Sequence, residues 1–116
     1  MDPRIQEVID SIASDPRRNP SLVEMAGSVC LSPSRFSHLF KLETGESPRQ
    51  YVRMRRMAEA KGLLETTWMK VKDIGAAIGA TDGSHFVREF RRLYGAFPGE
   101  YRVRHRRQKQ NDKIIQ

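Results

Sequence analysis

An all-α fold of about seven helices is the expectation, and three features of the sequence carry it. Apolar residues recur at helical spacing along most of the chain, alternating strand patterns are nearly missing, and Pro, Ser, Asp and Gly stand where helices would start and stop. With 116 residues and 38% hydrophobic content, the chain can build compact helical cores but no large enclosed pocket.

The first helix is "DPRIQEVIDSIASD", with Ile5, Val8, Ile9 and Ile12 on one side and Asp2 before Pro3 as its start signal. "PRRNP", residues 16–20, breaks it. Ser21 and Glu24 form an S-x-x-E capping box for a second helix, whose inner face is Leu22, Met25, Ala26 and Val29. Cys30, between Val29 and Leu31, reads as a small buried side chain. Ser32 caps the third helix and Pro33 fits its first turn. This helix puts Phe36, Leu39 and Phe40 on one side and Ser34, Ser37, His38 and Lys41 on the other, and stops at Gly45.

Ser47–Pro48 repeats the start signal and opens a long helix to about Glu65, with Tyr51, Met54, Ala58, Leu63 and Leu64 expected inside. "TTWMK" turns the chain, and Trp68 is expected to pack between domains. "VKDIGAAIG" is a short helix ending at Gly79. "ATDGSHFVREFRRLYG" is capped by Asp82, stopped by Gly95 and turns Phe86, Phe90 and Leu93 inward. "FPGEYRVRHRR" makes the last helix, its basic run a solvated end, and "QKQNDKIIQ" is expected to fray.

The chain also matches itself at an offset of 50. Ser34, Phe36, Phe40, Gly45, Pro48, Tyr51 and Arg56 recur as Ser84, Phe86, Phe90, Gly95, Pro98, Tyr101 and Arg106, seven identities in 25 positions. Unrelated segments would share about one or two. Upstream, Met25, Ala26 and Val29 align with Ile74, Gly75 and Ile78 at an offset of 49, which makes the second turn one residue longer. Each unit is therefore a short helix, a tight turn and a longer helix. The expected organisation is a helix-turn-helix subdomain over residues 1–47, a linking helix over 48–66, a second helix-turn-helix subdomain over 67–107, and a basic, polar tail over 108–116.

The formal charge of +7 is uneven, with a net −2 over residues 1–31 and +9 over residues 32–116. A localised basic excess favours a polyanionic partner. A polar stripe on the second helix of both units then points to major-groove reading of double-stranded DNA. The alternative is a non-specific polyanion- or membrane-surface-binding helical module. RNA is disfavoured, because the phenylalanines fall on core faces and leave no stacking platform. One cysteine rules out an internal disulfide framework and a cysteine-anchored zinc site. The histidines show no metal-binding spacing, and no triad or phosphate loop is present, so neither an enzyme nor a cofactor is expected. With no signal peptide or apolar span, the expected location is the cytoplasm, on the nucleoid.

Three segments, "LSPSRFSHLFKLETGESPRQYV", "RMAEAKGLLETT" and "FVREFRRLYGAFPGEYR", resemble the two recognition helices, linking helix and closing G-x-x-P-x-x-Y-R signature of the DNA-binding domain of AraC/XylS-type bacterial transcription regulators. The resemblance runs from about residue 5 to residue 104. It implies that Ser34, Arg35, Ser37 and His38 face bases from the first recognition helix, and Ser84, His85 and Arg88 from the second. The family's usual Gly-Phe is Gly79–Ala80 here, and Phe97 replaces a small capping residue. Arg88 suits guanine, the Val87 methyls suit thymine, and Lys41, Arg91, Arg92 and the helix start at Ser32 suit phosphates. The resemblance also implies activation through RNA polymerase and a further N-terminal sensor or dimerisation domain.

Overall fold

The computed structural model describes residues 1–115 except Pro16, and of Ile115 only the backbone. Pro16, part of the expected helix break, and Gln116, the last residue of the expected tail, lie outside the described residues. Seven helices make up the rest: α1 (Pro3–Ser14), α2 (Leu22–Ser28), α3 (Pro33–Thr44), α4 (Pro48–Thr66), α5 (Val71–Ala77), α6 (Gly83–Tyr94) and α7 (Pro98–Ile115). No strand occurs among the described residues.

The chain forms two compact units, Met1–Arg56 and Met57–Gln116, and the boundary falls inside α4. In the first core Ile5, Val8 and Ile12 of α1 pack with Met25, Ala26, Phe36, Phe40 and Val52. In the second, Met57, Ala60 and Leu64 of α4 pack with Ile74, Ile78, Phe86 and Phe90. The spacing of three and then four residues is the same in Ile5–Val8–Ile12 and Met57–Ala60–Leu64. The second half of α4 thus supplies to its unit what α1 supplies to the other. Sharing α4 explains its weak one-sidedness, since its two halves have different partners.

The aromatic cores are duplicated. Phe40 meets Tyr51 edge-on at 5.3 Å and 77°, and Phe90 meets Tyr101 at 5.6 Å and 74°. Both long helices end on a left-handed glycine, Gly45 (φ 82°) and Gly95 (φ 77°), whose amides bond Lys41 and Arg91 carbonyls at 2.8 Å. The tight turns are duplicated too. After α2, Leu31 N–H bonds the Ala26 carbonyl at 3.0 Å and Cys30 N–H bonds that of Gly27 at 3.2 Å. After α5, Ala80 bonds Gly75 at 2.9 Å and Gly79 bonds Ala76 at 3.1 Å. This is the paired-bond helix stop that needs a left-handed residue. Gly79 supplies it at φ 80°, but in the first unit Cys30 does so at φ 60°. Thr81 is the additional residue before the α6 cap.

Several expectations are corrected. Cys30 is exposed, because the left-handed position turns its side chain out of the unit. Ala58 is exposed, about 100° round α4 from the buried Met57. Tyr51, Met54 and Leu63 are only half-buried, and Leu22 counts as exposed. Trp68 is 77% exposed and carries the Arg106 guanidinium 3.4 Å from its ring centroid. Residues 108–115 continue α7, supported by a 3.2 Å bond from Gln108 Nε2 to Asp112 Oδ1 one turn on.

A non-glycine residue in the left-handed region costs about 1 kcal/mol or more. Cys30→Gly is therefore expected to stabilise the first unit by about 1 kcal/mol in urea unfolding, and Gly79→Ala to destabilise the second by at least as much.

Candidate nucleic-acid interface

The buried aromatic side of α3 and of α6 determines which residues face outward. With Phe36 and Phe40 inside, α3 exposes Ser34, Arg35, His38 and Lys41, and leaves Ser37 half-buried. With Phe86 and Phe90 inside, α6 exposes Ser84, His85, Arg88, Arg91 and Arg92. Val87, expected to meet a thymine methyl, is half-buried and packs against the second core. The expected outer stripe is thus present on both helices, with Ser37 and Val87 at its edges.

The helix starts are capped locally. The Ser32 hydroxyl oxygen accepts the Arg35 amide at 3.2 Å, and the Asp82 carboxylate accepts the Ser84 and His85 amides at 2.9 and 3.3 Å. Two amides at the start of α6 are therefore taken up by Asp82. Ser32 retains its hydroxyl hydrogen as a donor. Ser47 caps α4 by accepting the Gln50 amide at 3.2 Å. Phe97, at the corresponding place before α7, has no side-chain acceptor to offer. Its ring instead lies 4.6 Å from the Arg91 guanidinium, a cation–π contact that orients that side chain. Arg92 stands 3.6 Å from the carboxylate of Glu89, which is buried.

The basic run of α7 is not simply a solvated end. Arg102 Nε donates to the Leu64 carbonyl at 3.2 Å and Arg106 Nη2 to that of Thr67 at 2.8 Å, so both arginines satisfy carbonyls at and just past the end of α4. The Tyr101 hydroxyl donates to the Glu65 carboxylate. Burial, then that hydrogen bond, pushes the Tyr101 phenol well above its usual range. Burial, then the neighbouring Arg106, lowers the pKa of Arg102. Sequence reasoning missed these roles because the arginines sit in a run that looks uniformly charged.

Arg4 is a further residue that sequence reasoning did not single out. It lines an open cleft of about 350 Å³ with Leu31, Ser34, Arg35, His38 and Leu39. Among the described residues there is no His, Cys, Asp and Glu grouping able to hold a metal ion, and no helix long and apolar enough to cross a membrane.

A family profile described as a helix-turn-helix domain matches residues 25–104. The arabinose operon regulatory protein of Escherichia coli (strain K12) is 38% identical over 104 residues, covering 89% of this chain and 36% of that protein. The crystal structure of a transcriptional regulator with an AraC-type DNA-binding domain from Chromobacterium violaceum superposes with a TM-score of 0.81 at 27% identity, covering 89% of this chain and 92% of that one. The chain belongs to the AraC-type helix-turn-helix family. The DNA-binding domain of AdpA, solved with a target DNA, has the same fold, with a TM-score of 0.88 at 24% identity over 92% of this chain and 96% of that one. AraC-type proteins of this kind are sequence-specific DNA-binding transcription regulators, not enzymes. The chain spans little more than a third of the arabinose regulator's length and less of several others.

Because Asp82 fixes the first turn of α6, from which Ser84 and His85 project, Asp82→Ala is expected to cost about 1 kcal/mol in urea unfolding, and Asp82→Asn only a few tenths.

Proposed function

We propose that α3 and α6 enter successive major grooves of one duplex and read an asymmetric two-box site. The observation that carries this reading is the duplication of the exposed stripe. Two helices of 12 residues each, 50 positions apart and oriented by the same buried aromatics, present short polar and basic side chains outward. Groove reading by a helix requires such a face. The two units follow one another in tandem, so the site should be two unlike boxes about 10 bp apart and not a palindrome. The 19 residues of α4 give a helix of about 28 Å, a length suited to that separation.

Within this reading Arg88 offers two parallel donors to guanine O6 and N7, and Val87 brings a methyl group to the edge of the contact. Ser34, Arg35, Ser37 and His38 read the first box, and Ser84 and His85 complete the second. Lys41, Arg91, Arg92 and the Ser32 hydroxyl meet phosphates. The whole protein acts in the cytoplasm, on the nucleoid. It includes an N-terminal sensing or dimerisation domain and activates transcription through contact with RNA polymerase. The relatives' greater length supports the additional domain.

Selection of bound duplexes from random DNA tests the reading, with two unlike boxes expected and a preference for any polyanion counting against it. Arg88→Ala is expected to relax preference at one base pair of the second box, at a cost of about 1–3 kcal/mol on the best site. Lys41→Ala is expected to weaken all sequences alike and to flatten the salt dependence of log K by about 0.9. Uniform weakening by both substitutions in a library measurement would remove the assigned roles.

A further inference from the structure

The cleft beside the first recognition helix contains a cation that neither the polar stripe of α3 nor the family match accounts for. Arg4 comes from the first turn of α1 and lines the same cleft as Ser34, Arg35 and His38. Its guanidinium is oriented by Asp2. Arg4 Nε donates to Asp2 Oδ1 at 3.2 Å and Nη2 to Oδ2 at 3.0 Å. Asp2 Oδ1 also accepts the Arg4 amide at 2.8 Å, so the residue that caps α1 orients the side chain as well. This pairing occupies one edge of the planar guanidinium. Nη1 and the second hydrogen of Nη2 remain as donors, and the side chain is 49% exposed.

When a recognition helix lies in a major groove, elements flanking that helix meet the groove walls, which are phosphate backbone. A planar cation pre-oriented by a carboxylate suits a phosphate oxygen, since little side-chain freedom remains to be lost on contact. We infer that Arg4 clamps a DNA phosphate at the edge of the first box, with Asp2 as its positioning residue. Arg4 would then locate α3 in its groove while reading no base. The inference rests on the groove-reading role of α3 proposed above. It gives the first reader, whose outer face carries two serines, an anchor from outside the recognition helix.

The test compares the native chain, Arg4→Gln and Arg4→Lys on the duplex selected by the native chain and on a randomised library, at several salt concentrations. Glutamine keeps most of the aliphatic stem and removes the charge, and a thermal melt checks that each variant folds. The expected result is several-fold weaker binding by Arg4→Gln at low salt, a salt slope shallower by about 0.9, and unchanged base preference. Arg4→Lys, which retains the charge, should keep the native slope and also serves if Arg4→Gln does not fold, since a lost slope in it overturns the clamp. A native slope in Arg4→Gln, or altered preference at a single base pair, overturns the clamp while leaving groove reading in place. Absence of sequence preference in the native chain itself overturns groove reading, and that result is obtained before any variant is made.

Discussion

The interlocking of two phenylalanines on α3, and of two on α6, with a tyrosine on the next helix is the constraint from which the outer surface follows. Phe36 and Phe40 are fully buried, as are Phe86 and Phe90, and Tyr51 and Tyr101 close the two clusters from α4 and α7. Burying a pair at i and i+4 leaves a helix little rotational freedom, because the pair marks one side of it. Everything outward is then determined. Ser34, His38 and Lys41 on α3, and Ser84, Arg88 and Arg91 on α6, face away because the rings cannot. Edge-on ring contacts add roughly 0.5–1.5 kcal/mol beyond the area buried, which helps two small units hold their helices in place.

Much of this was legible in the sequence, because the decisive signals are local. Capping residues, helix-stopping glycines and apolar spacing state where each element begins, ends and turns inward, and Ser32, Asp82, Gly45 and Gly95 all act as such signals predict. The repeat at an offset of 50 carried the rest, since it places α3 and α6 in the same local context. What stayed hidden depends on through-space partners. Trp68 looked like a packing residue because tryptophan usually is one, but its cover is a single arginine from a helix 38 positions later. The repeat marks Arg106 and the closing signature marks Arg102, but neither names the carbonyls they serve. The apolar neighbours of Cys30 point to burial, but the turn requires a left-handed backbone there, and the side chain is exposed. Arg4 could have been singled out only through its proximity to α3, which sequence spacing does not encode.

The two units are copies in architecture but not in chemistry. The first is capped by a neutral serine and carries serines, a histidine and Arg35 on its outer face. The second is capped by an aspartate, carries Arg88, and has its two later arginines engaged, Arg91 with the Phe97 ring and Arg92 with buried Glu89. Just before the last helix this chain carries an aromatic ring, Phe97, which forgoes a cap and gains a partner for a cation. Phe97 thus engages a cation of α6, and α7 begins at Pro98 without a side-chain cap from it.

The chain's single tryptophan lies in the second unit, with its indole open to solvent and one face against a guanidinium. Its fluorescence is consequently a private optical channel for that half of the molecule. Circular dichroism averages over all the helices, whereas indole emission reports on the second unit, where Arg106 of α7 lies against the ring. Overlaid melting curves from the two methods would thus count the cooperative blocks in the chain without any label being attached.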